Sequence, residues 1–135
     1  MKLDGSYGEG GGQILRTAVA LSAVTGKHVD IENIRKERLK PGLSAQHVKA
    51  VEELARICGA QVSGCSLHST RISFTPGKIK GGNYDVDIGT AGSISLLLQC
   101  LMPALMHADG EIRIKITGGT DVQWSPSIDY MRFVT

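Results

Sequence analysis

Residues 1–26, MKLDGSYGEGGGQILRTAVALSAVTG, decide the fold. The first four residues are typical of a short strand, and five of the next eight residues are glycine. Residues 13–24 then have the apolar spacing of a helix, which Gly26 is placed to end. The apolar positions of this helix are Ile14, Leu15, Ala18, Val19 and Leu21. The stretch therefore predicts a strand, a glycine-rich turn and a helix in direct succession.

The segment that follows alternates between strand and helix patterns. HVDIENI (28–34) alternates apolar and polar residues and predicts a strand. RKERLKPGL (35–43) predicts a basic loop, and residues 44–58 carry the apolar stripe of a second helix. Two short strands are predicted around 61–65 and 70–75, before the turn PGKIKGG. This order corresponds to one βαβαββ unit.

The pattern then restarts at an offset of 84 residues. Gly5-Ser6-Tyr7-Gly8 aligns with Gly89-Thr90-Ala91-Gly92. Gly26 aligns with Gly110, after helical segments predicted to be equally long, and HVDIENI aligns with EIRIKIT. Because turns, helices and strands match at one offset, we interpret the chain as two copies of one structural unit.

We therefore predict the α+β class, with repeated βαβαββ units whose helices pack on one face of a sheet. The first repeat would span 1–80, and the second, 81–135, would be incomplete because it stops inside its second helix. The chain is accordingly expected to be part of a longer protein or a severely shortened relative. Self-association through the incomplete repeat is expected, because its sheet would lack partner strands.

Composition narrows the classes of function. The formal net charge of +2 is too small to indicate nucleic-acid or membrane binding by itself, so local clusters must decide. Aromatic residues make up 4%, which argues against an aromatic platform for base stacking. Cys58, Cys65 and Cys100 lack CxxC spacing, which disfavours a zinc site or disulfide framework and predicts a reducing cytoplasm. The longest apolar stretch, around 94–108, is too short to span a bilayer.

The glycine-rich turn leaves two interpretations open. Glycines let backbone N–H groups approach an anion, and a helix N-terminus adds partial positive charge. GEGGGQ matches neither GxGxxG nor GxxxxGK[ST], so it is neither of these phosphate-binding motifs. Glu9 would repel phosphate unless it holds a metal ion or a ribose hydroxyl, whereas Arg16 could face the turn. The alternative is a tight strand-to-helix turn without a ligand.

A second cluster combines cations with a helix start. Four of the six residues from Arg35 to Lys40 are cationic, and Gln46 and His47 follow in the first turn of the next helix. Cations beside free backbone N–H groups suit an anion. The alternative is an ordinary solvated loop.

The remaining candidates are weaker. Gln99 is polar within SLLLQCLMPAL, four residues before Pro103, so its amide could meet a ligand such as a purine edge or form an internal hydrogen bond. Asp121, Trp124 and Asp129 lie in GGTDVQWSPSIDY, where two aspartates eight residues apart do not define a metal site. The other three histidines are expected to be structural: His28, His68 and His107.

Together these stretches resemble the RNA 3′-terminal phosphate cyclase family. The resemblance rests on LDGSYGEGGGQILR, IRKERLKPGLSAQH, EELARICGA, IGTAGSISLLLQ and GGTDVQWSPSIDY, in order along the whole chain. It implies an ATP-dependent reaction through a histidine–AMP intermediate and an RNA adenylate. The 2′-hydroxyl then expels AMP and leaves a 2′,3′-cyclic phosphate. A divalent metal, Mg²⁺ or Mn²⁺, would offset phosphate charge.

The resemblance also implies roles for individual residues. Gln99 and Glu9 are expected to bind ATP, with Glu9 near the metal. The residues expected to bind the phosphates of RNA or ATP are Arg16, Arg35, Arg38, Gln46 and His47. None of the four histidines matches the family's nucleophile, which is expected beyond residue 135.

Two further interpretations remain beside the cyclase. The chain could belong to a non-catalytic, cyclase-like factor for ribosomal RNA processing, although such a scaffold has no need of the full residue set. An enolpyruvyl transferase shares a related repeat architecture, but the motif strings do not favour it. The 135 residues alone are expected to form no histidine–AMP bond. Incubation with labelled ATP and Mg²⁺ tests this expectation, because such a bond would leave an acid-labile, alkali-stable label on the protein.

Overall fold

The computed structural model describes residues 1–89 and 92–134. Within them, the chain combines four helices with two sheets, which confirms the α+β class. The elements are β1 (Lys2–Asp4), α1 (Gly12–Thr25), β2 (Val29–Glu32), α2 (Ala45–Cys58), β3 (Gln61–Ser63), β4 (Ile72–Thr75), β5 (Gly82–Asp87), α3 (Ile94–Leu105), β6 (Ile112–Thr117) and α4 (Ile128–Phe133).

Two sheets form within this part of the chain. The first has the strand order β1-β2-β4-β3, with β1 parallel to β2 and the other neighbours antiparallel. The second is the parallel pair of β5 and β6, in which Gly82 pairs with Ile112 and Asp87 with Thr117. A parallel connection needs a crossover, and α1 and α3 supply it in the two sheets.

The core lies between the helices and one face of the four-stranded sheet. Val29 and Ile31 of β2 and Ile72 and Phe74 of β4 are fully buried, whereas the alternate residues of these strands are more exposed. The helix α1 contacts β2, β4, α2 and α3. Its central position explains why its buried face is rich in small residues, which let neighbouring elements approach closely.

Some element bounds differ from the prediction. The strand predicted over 28–34 ends at Glu32, because Asn33 and Arg35 adopt positive φ and turn the chain. The two following strands are likewise shorter than predicted. Gly26 does end α1 in the left-handed conformation, as predicted.

The predicted equal length of the two crossover helices is wrong. The first, α1, has 14 residues and ends against Gly26, whereas α3 has 12 residues and ends at Leu105, before Gly110. The chain leaves α3 because the N–H groups of His107 and Ala108 bond carbonyls three residues back, not four. Thr90 and Ala91 of the predicted matching turn lie outside the described residues, so the repeat and its boundary after residue 80 stay predictions.

Gly42 lies near the end of the basic loop, residues 35–43, and closes it at its base. Its φ of 80° is left-handed, and a Cβ there would lie 2.3 Å from the carbonyl oxygen of His68. Its N–H donates to the carbonyl of Ile34 at 2.9 Å, and its own carbonyl accepts from Nη1 of Arg35 at 2.9 Å. Only glycine satisfies both the backbone angle and the close approach.

Two structural findings bear on the predicted environment of the protein. All three cysteines carry free thiols. None of the helices in residues 1–89 and 92–134 is both long enough and apolar enough to cross a membrane.

Replacing Leu54, which is fully buried in α2, with alanine is expected to lower the free energy of unfolding by about 2–5 kcal/mol, because a cavity remains in the core. The matched control is Leu39→Ala in the basic loop, where the side chain is fully exposed and the expected change is within about 0.5 kcal/mol. Urea denaturation measures both. Equal effects would contradict the assigned core.

Candidate functional site

The first turns of α1, α2 and α3 meet at one end of the structure. The His47 ring, in the first turn of α2, packs against Gly12, the first residue of α1. Beside it, Nε2 of Gln46 donates to the carbonyl of Ser93, the N-cap of α3, at 3.4 Å. Because helix N-termini carry unpaired N–H groups and partial positive charge, their convergence favours an anionic ligand.

The N-terminus of α1 is open. Its N-cap is Gly11, which has no side chain to accept from the helix N–H groups, and no acidic residue lies in the first turn. A Cβ at Gly11 would lie 3.3 Å from Nη2 of Arg38, so the basic loop reaches this helix start. The glycine-rich turn and the basic loop are therefore neighbours in the structure.

Arg16 lies in the second turn of α1 and is only 8% exposed. Its Nη2 donates to Oε1 of Gln13 at 2.9 Å, but its Nε is buried and has no hydrogen-bond partner among the described residues. Burial lowers the pKa of the Arg16 guanidinium below its ordinary value. A buried donor without a partner costs about 1–3 kcal/mol, so the site gains from an acceptor placed there.

His47 is also 8% exposed. Its Nδ1 lies 3.1 Å from the backbone nitrogen of Ser44 and 2.9 Å from Ser44 Oγ, in a capping box at the start of α2. Burial, with the neighbouring charges of Arg16 and Arg35, lowers the His47 pKa from 6.5 to about 4. The ring is therefore neutral near pH 7 and adds hydrogen-bonding capacity without a further charge.

Glu9 is exposed on the glycine-rich turn. Hydrogen bonds near the beginning and middle of this turn fix its conformation. Oδ1 of Asp4 accepts from the backbone N–H of Ser6 at 3.0 Å and from Ser6 Oγ at 2.7 Å, while Gly10 N–H donates to the Tyr7 carbonyl. Among the residues that the structure describes, no three His, Cys, Asp or Glu side chains form a metal-binding group. The predicted metal role of Glu9 therefore stays a proposal.

Gln99 is half-buried on α3, next to Cys100. The Cys100 thiol lies 3.7 Å from the carbonyl oxygen of Arg16, which places this part of α3 against α1. Burial raises the pKa of the Cys100 thiol to about 12, so this thiol is not ionised at neutral pH. Gln99 is therefore on the helix that packs beside Arg16, and its contact with a nucleotide stays a prediction.

The weaker candidates are exposed residues. Asp121, Trp124 and Asp129 are all exposed, and Trp124 is 91% exposed with a φ of 66°. The loop that carries them is tied to α3, because Ser95 Oγ donates to the Pro126 carbonyl at 2.6 Å. His28 contacts Asp30 and Thr75 on the solvent face of the sheet, and His107 contacts the Pro103 carbonyl, in agreement with structural roles.

Sequence reasoning missed two residues that shape the cluster. Ser44 is the N-cap of α2, and its spacing to His47 follows the capping-box pattern with histidine in place of the usual Glu or Gln. A Cβ at Gly12 would lie 1.9 Å from Nε2 of His47, so the absence of a side chain makes room for the ring. The first signal is visible in the sequence, whereas the second depends on tertiary packing.

We name the residues around these helix starts the anion cluster; its members are Gly11, Gly12, Arg16, Arg35, Arg38, Gln46 and His47.

Because the His47 pKa in the folded protein lies below its value in the unfolded chain, the unfolded chain takes up a proton first as the pH falls. The full stability contribution is present above pH 6.5 and is lost progressively down to pH 4.

His47→Gln keeps a capping side chain but cannot titrate. Between pH 7 and pH 4 the original protein is expected to lose roughly 3 kcal/mol more free energy of unfolding than this variant. Urea denaturation at both pH values measures the difference, in which the carboxylates common to both proteins cancel. Parallel losses in the two proteins would show that His47 is not buried as a neutral ring.

Comparison with known proteins places the chain in a family. The family model for RNA 3′-terminal phosphate cyclase matches residues 7–135. Proteins named RNA 3′-terminal phosphate cyclase from Methanosarcina barkeri and Archaeoglobus fulgidus are 64% and 56% identical over 135 residues, all of this chain and 41% of each relative. The Pyrococcus furiosus protein of that name is 56% identical over 133 residues, 98% of this chain and 39% of the relative. The chain thus spans about two fifths of these relatives' length, and it belongs to the RNA 3′-terminal phosphate cyclase family.

Proposed function

We propose that this chain forms part of the site of an ATP-dependent enzyme that converts an RNA 3′-phosphate to a 2′,3′-cyclic phosphate. Membership of the family supports the reaction class, and the relatives' name gives the RNA end as their substrate. The anion cluster supports the placement of the phosphate. The observation that carries the proposal is the buried Nε of Arg16 beside the open N-terminus of α1. This Nε has no hydrogen-bond partner among the residues that the structure describes.

The phosphate is proposed to lie over the first turn of α1, between the glycine-rich turn and the basic loop. Backbone N–H groups at a helix start and guanidinium groups are strong donors to phosphate oxygens. Arg16 would approach from within α1, and Arg38 from the side of Gly11. Arg35 is already used in part, because its Nη1 holds the Gly42 carbonyl, so its contribution is mainly its charge.

In the proposed reaction a histidine displaces pyrophosphate from ATP and takes up AMP, which then passes from the histidine to the RNA 3′-phosphate. The ribose 2′-hydroxyl attacks the activated phosphorus and AMP leaves, which closes the cyclic phosphate. We assign the nucleophile to none of the four histidines of this chain. The best placed of them, His47, has Nδ1 held by Ser44 and Nε2 against Gly12, and its role is to contact the substrate.

Gln99 and Glu9 are proposed to serve ATP. Gln99 lies on α3 beside Arg16, where its amide can meet the edge of a base. Glu9 is exposed on the glycine-rich turn, and one carboxylate suffices for Mg²⁺ or Mn²⁺ when phosphate oxygens complete the coordination. The metal would neutralise phosphate charge near the reacting end.

Binding of short RNAs tests the proposal on this chain. An RNA with a 3′-phosphate is expected to bind about tenfold more tightly than the same RNA with a 3′-hydroxyl, because the terminal dianion can meet the anion cluster. Fluorescence anisotropy with both RNAs measures the ratio. Equal affinities would contradict recognition of the phosphate end and would favour a cyclase-like RNA-binding scaffold.

Arg38→Ala is expected to weaken binding of the 3′-phosphorylated RNA about tenfold, through loss of a charge-assisted contact at Gly11. Lys78→Ala removes the same charge at the opposite end of the helices, near Gly26 and His107, and serves as the control. The anisotropy titration is repeated for both variants at one salt concentration, since phosphate contacts depend on salt. If Lys78→Ala weakens binding as much as Arg38→Ala, the effect is one of net charge and the assignment fails.

A further inference from the structure

The contact between Ser44 and His47 determines which ring nitrogen of His47 carries the proton. The backbone nitrogen of Ser44 lies 3.1 Å from Nδ1, and a backbone N–H can only donate. Nδ1 must therefore accept, which leaves it without a proton. In a neutral imidazole the remaining proton is then on Nε2.

Nε2 faces the start of α1. A Cβ at Gly12 would lie 1.9 Å from Nε2, 2.8 Å from Cε1 and 2.9 Å from Cδ2 of His47. Real Cβ atoms do not approach other atoms so closely, and the clash is with the body of a buried ring. The glycine is not required by its backbone angle, because positive φ in this turn falls on Gly8 and Gly10. Gly12 is therefore required for the space that the ring occupies.

We infer that Ser44 and Gly12 are positioning residues which hold His47 as the neutral Nε2–H tautomer and present that proton at the phosphate end of α1. This inference rests on the proposed function for its ligand, an RNA 3′-phosphate. His47 then donates a hydrogen bond to a phosphate oxygen and takes no part in proton transfer. Arg16 of α1 and Arg35 of the basic loop supply the positive charge around the ring, and Cys100 of α3 faces Arg16 as a neutral thiol.

The tautomer is measured directly on this 135-residue chain with nitrogen-15 labelled histidine. A long-range proton–nitrogen NMR spectrum at pH 7 is expected to show Nδ1 of His47 as the unprotonated nitrogen and Nε2 as the protonated one. The His47 signals are identified as those that are missing from the spectrum of the His47→Gln variant. A protonated Nδ1, or a doubly protonated ring at pH 7, would overturn the inference whether or not the chain binds RNA.

The role of Gly12 is tested by a double-mutant cycle. Gly12→Ala would ordinarily favour a helix, yet it is expected to lower the melting temperature by roughly 5 °C because the new methyl group displaces the His47 ring. In a His47→Asn background, where the side chain is shorter, the same change is expected to be neutral or stabilising. The matched control is Gly11→Ala, whose Cβ meets only the end of the Arg38 side chain. Equal effects of Gly12→Ala in both backgrounds would overturn the role of Gly12.

Binding of the 3′-phosphorylated RNA tests the donor. Gln at this position can accept from Ser44 through Oε1 and donate through Nε2, so His47→Gln is expected to keep the affinity within about threefold. His47→Ala is expected to lose about tenfold. Equal losses in the two variants would overturn the donor role. If the original chain shows the expected tautomer but no preference for the 3′-phosphate, the proposed function fails and the geometry of His47 stands.

Discussion

The parallel pairing of β1 with β2 is the constraint on which the rest of the structure depends. Two parallel strands cannot be joined by a short turn, so the chain must cross over the sheet, and α1 is that crossover. The helix therefore begins at the carboxyl end of β1, where the glycine-rich turn lies. The same rule applies to β5, α3 and β6, which brings a second crossover helix to the core. The position of the helix starts, and of the polar groups that they carry, follows from this connection.

The helix starts converge at the anion cluster, where α2 needs a capping residue that does not cancel the local positive charge. Partial positive charge accumulates there, and Arg16 adds a buried guanidinium whose Nε has no partner within the described part of the chain. A carboxylate at the third position of α2, the usual capping residue, would neutralise this charge and compete with any anionic ligand. His47 caps the helix as a carboxylate would, through Nδ1, but it brings no negative charge. The cap is thereby compatible with an electropositive site.

Much of the fold could be predicted from local patterns. The apolar spacing of α1 and α2 and the glycine at the end of α1 gave the helices their approximate bounds, because periodicity reports directly on the buried face. The end of β2 could not be predicted, since positive φ at Asn33 and Arg35 is not a property of those residue types alone. The end of α3 was likewise missed, because the glycine expected to stop it, Gly110, lies several residues beyond Leu105.

The structure brings several of the predicted site residues close together, but the sequence did not predict their geometry. The motifs that resemble the family identified Arg16, Arg38 and His47 as residues of one site, and the structure places them around the start of α1. Neither periodicity nor charge indicated that Arg16 is buried or that Gly12 makes room for a ring. Both facts depend on how α1 and α2 approach each other, which is a property of tertiary packing.

The buried Nε of Arg16, which has no partner in residues 1–89 and 92–134, bears on how the protein behaves as a purified sample. A ligand that binds only the folded state raises its stability by mass action, and the gain grows with the ligand concentration relative to the dissociation constant. Because Arg16 Nε is a buried donor, we expect an anion that reaches it to raise the melting temperature of the folded chain. Phosphate or sulfate in the buffer would then serve as a surrogate ligand, and apparent thermal stability would report on site occupancy.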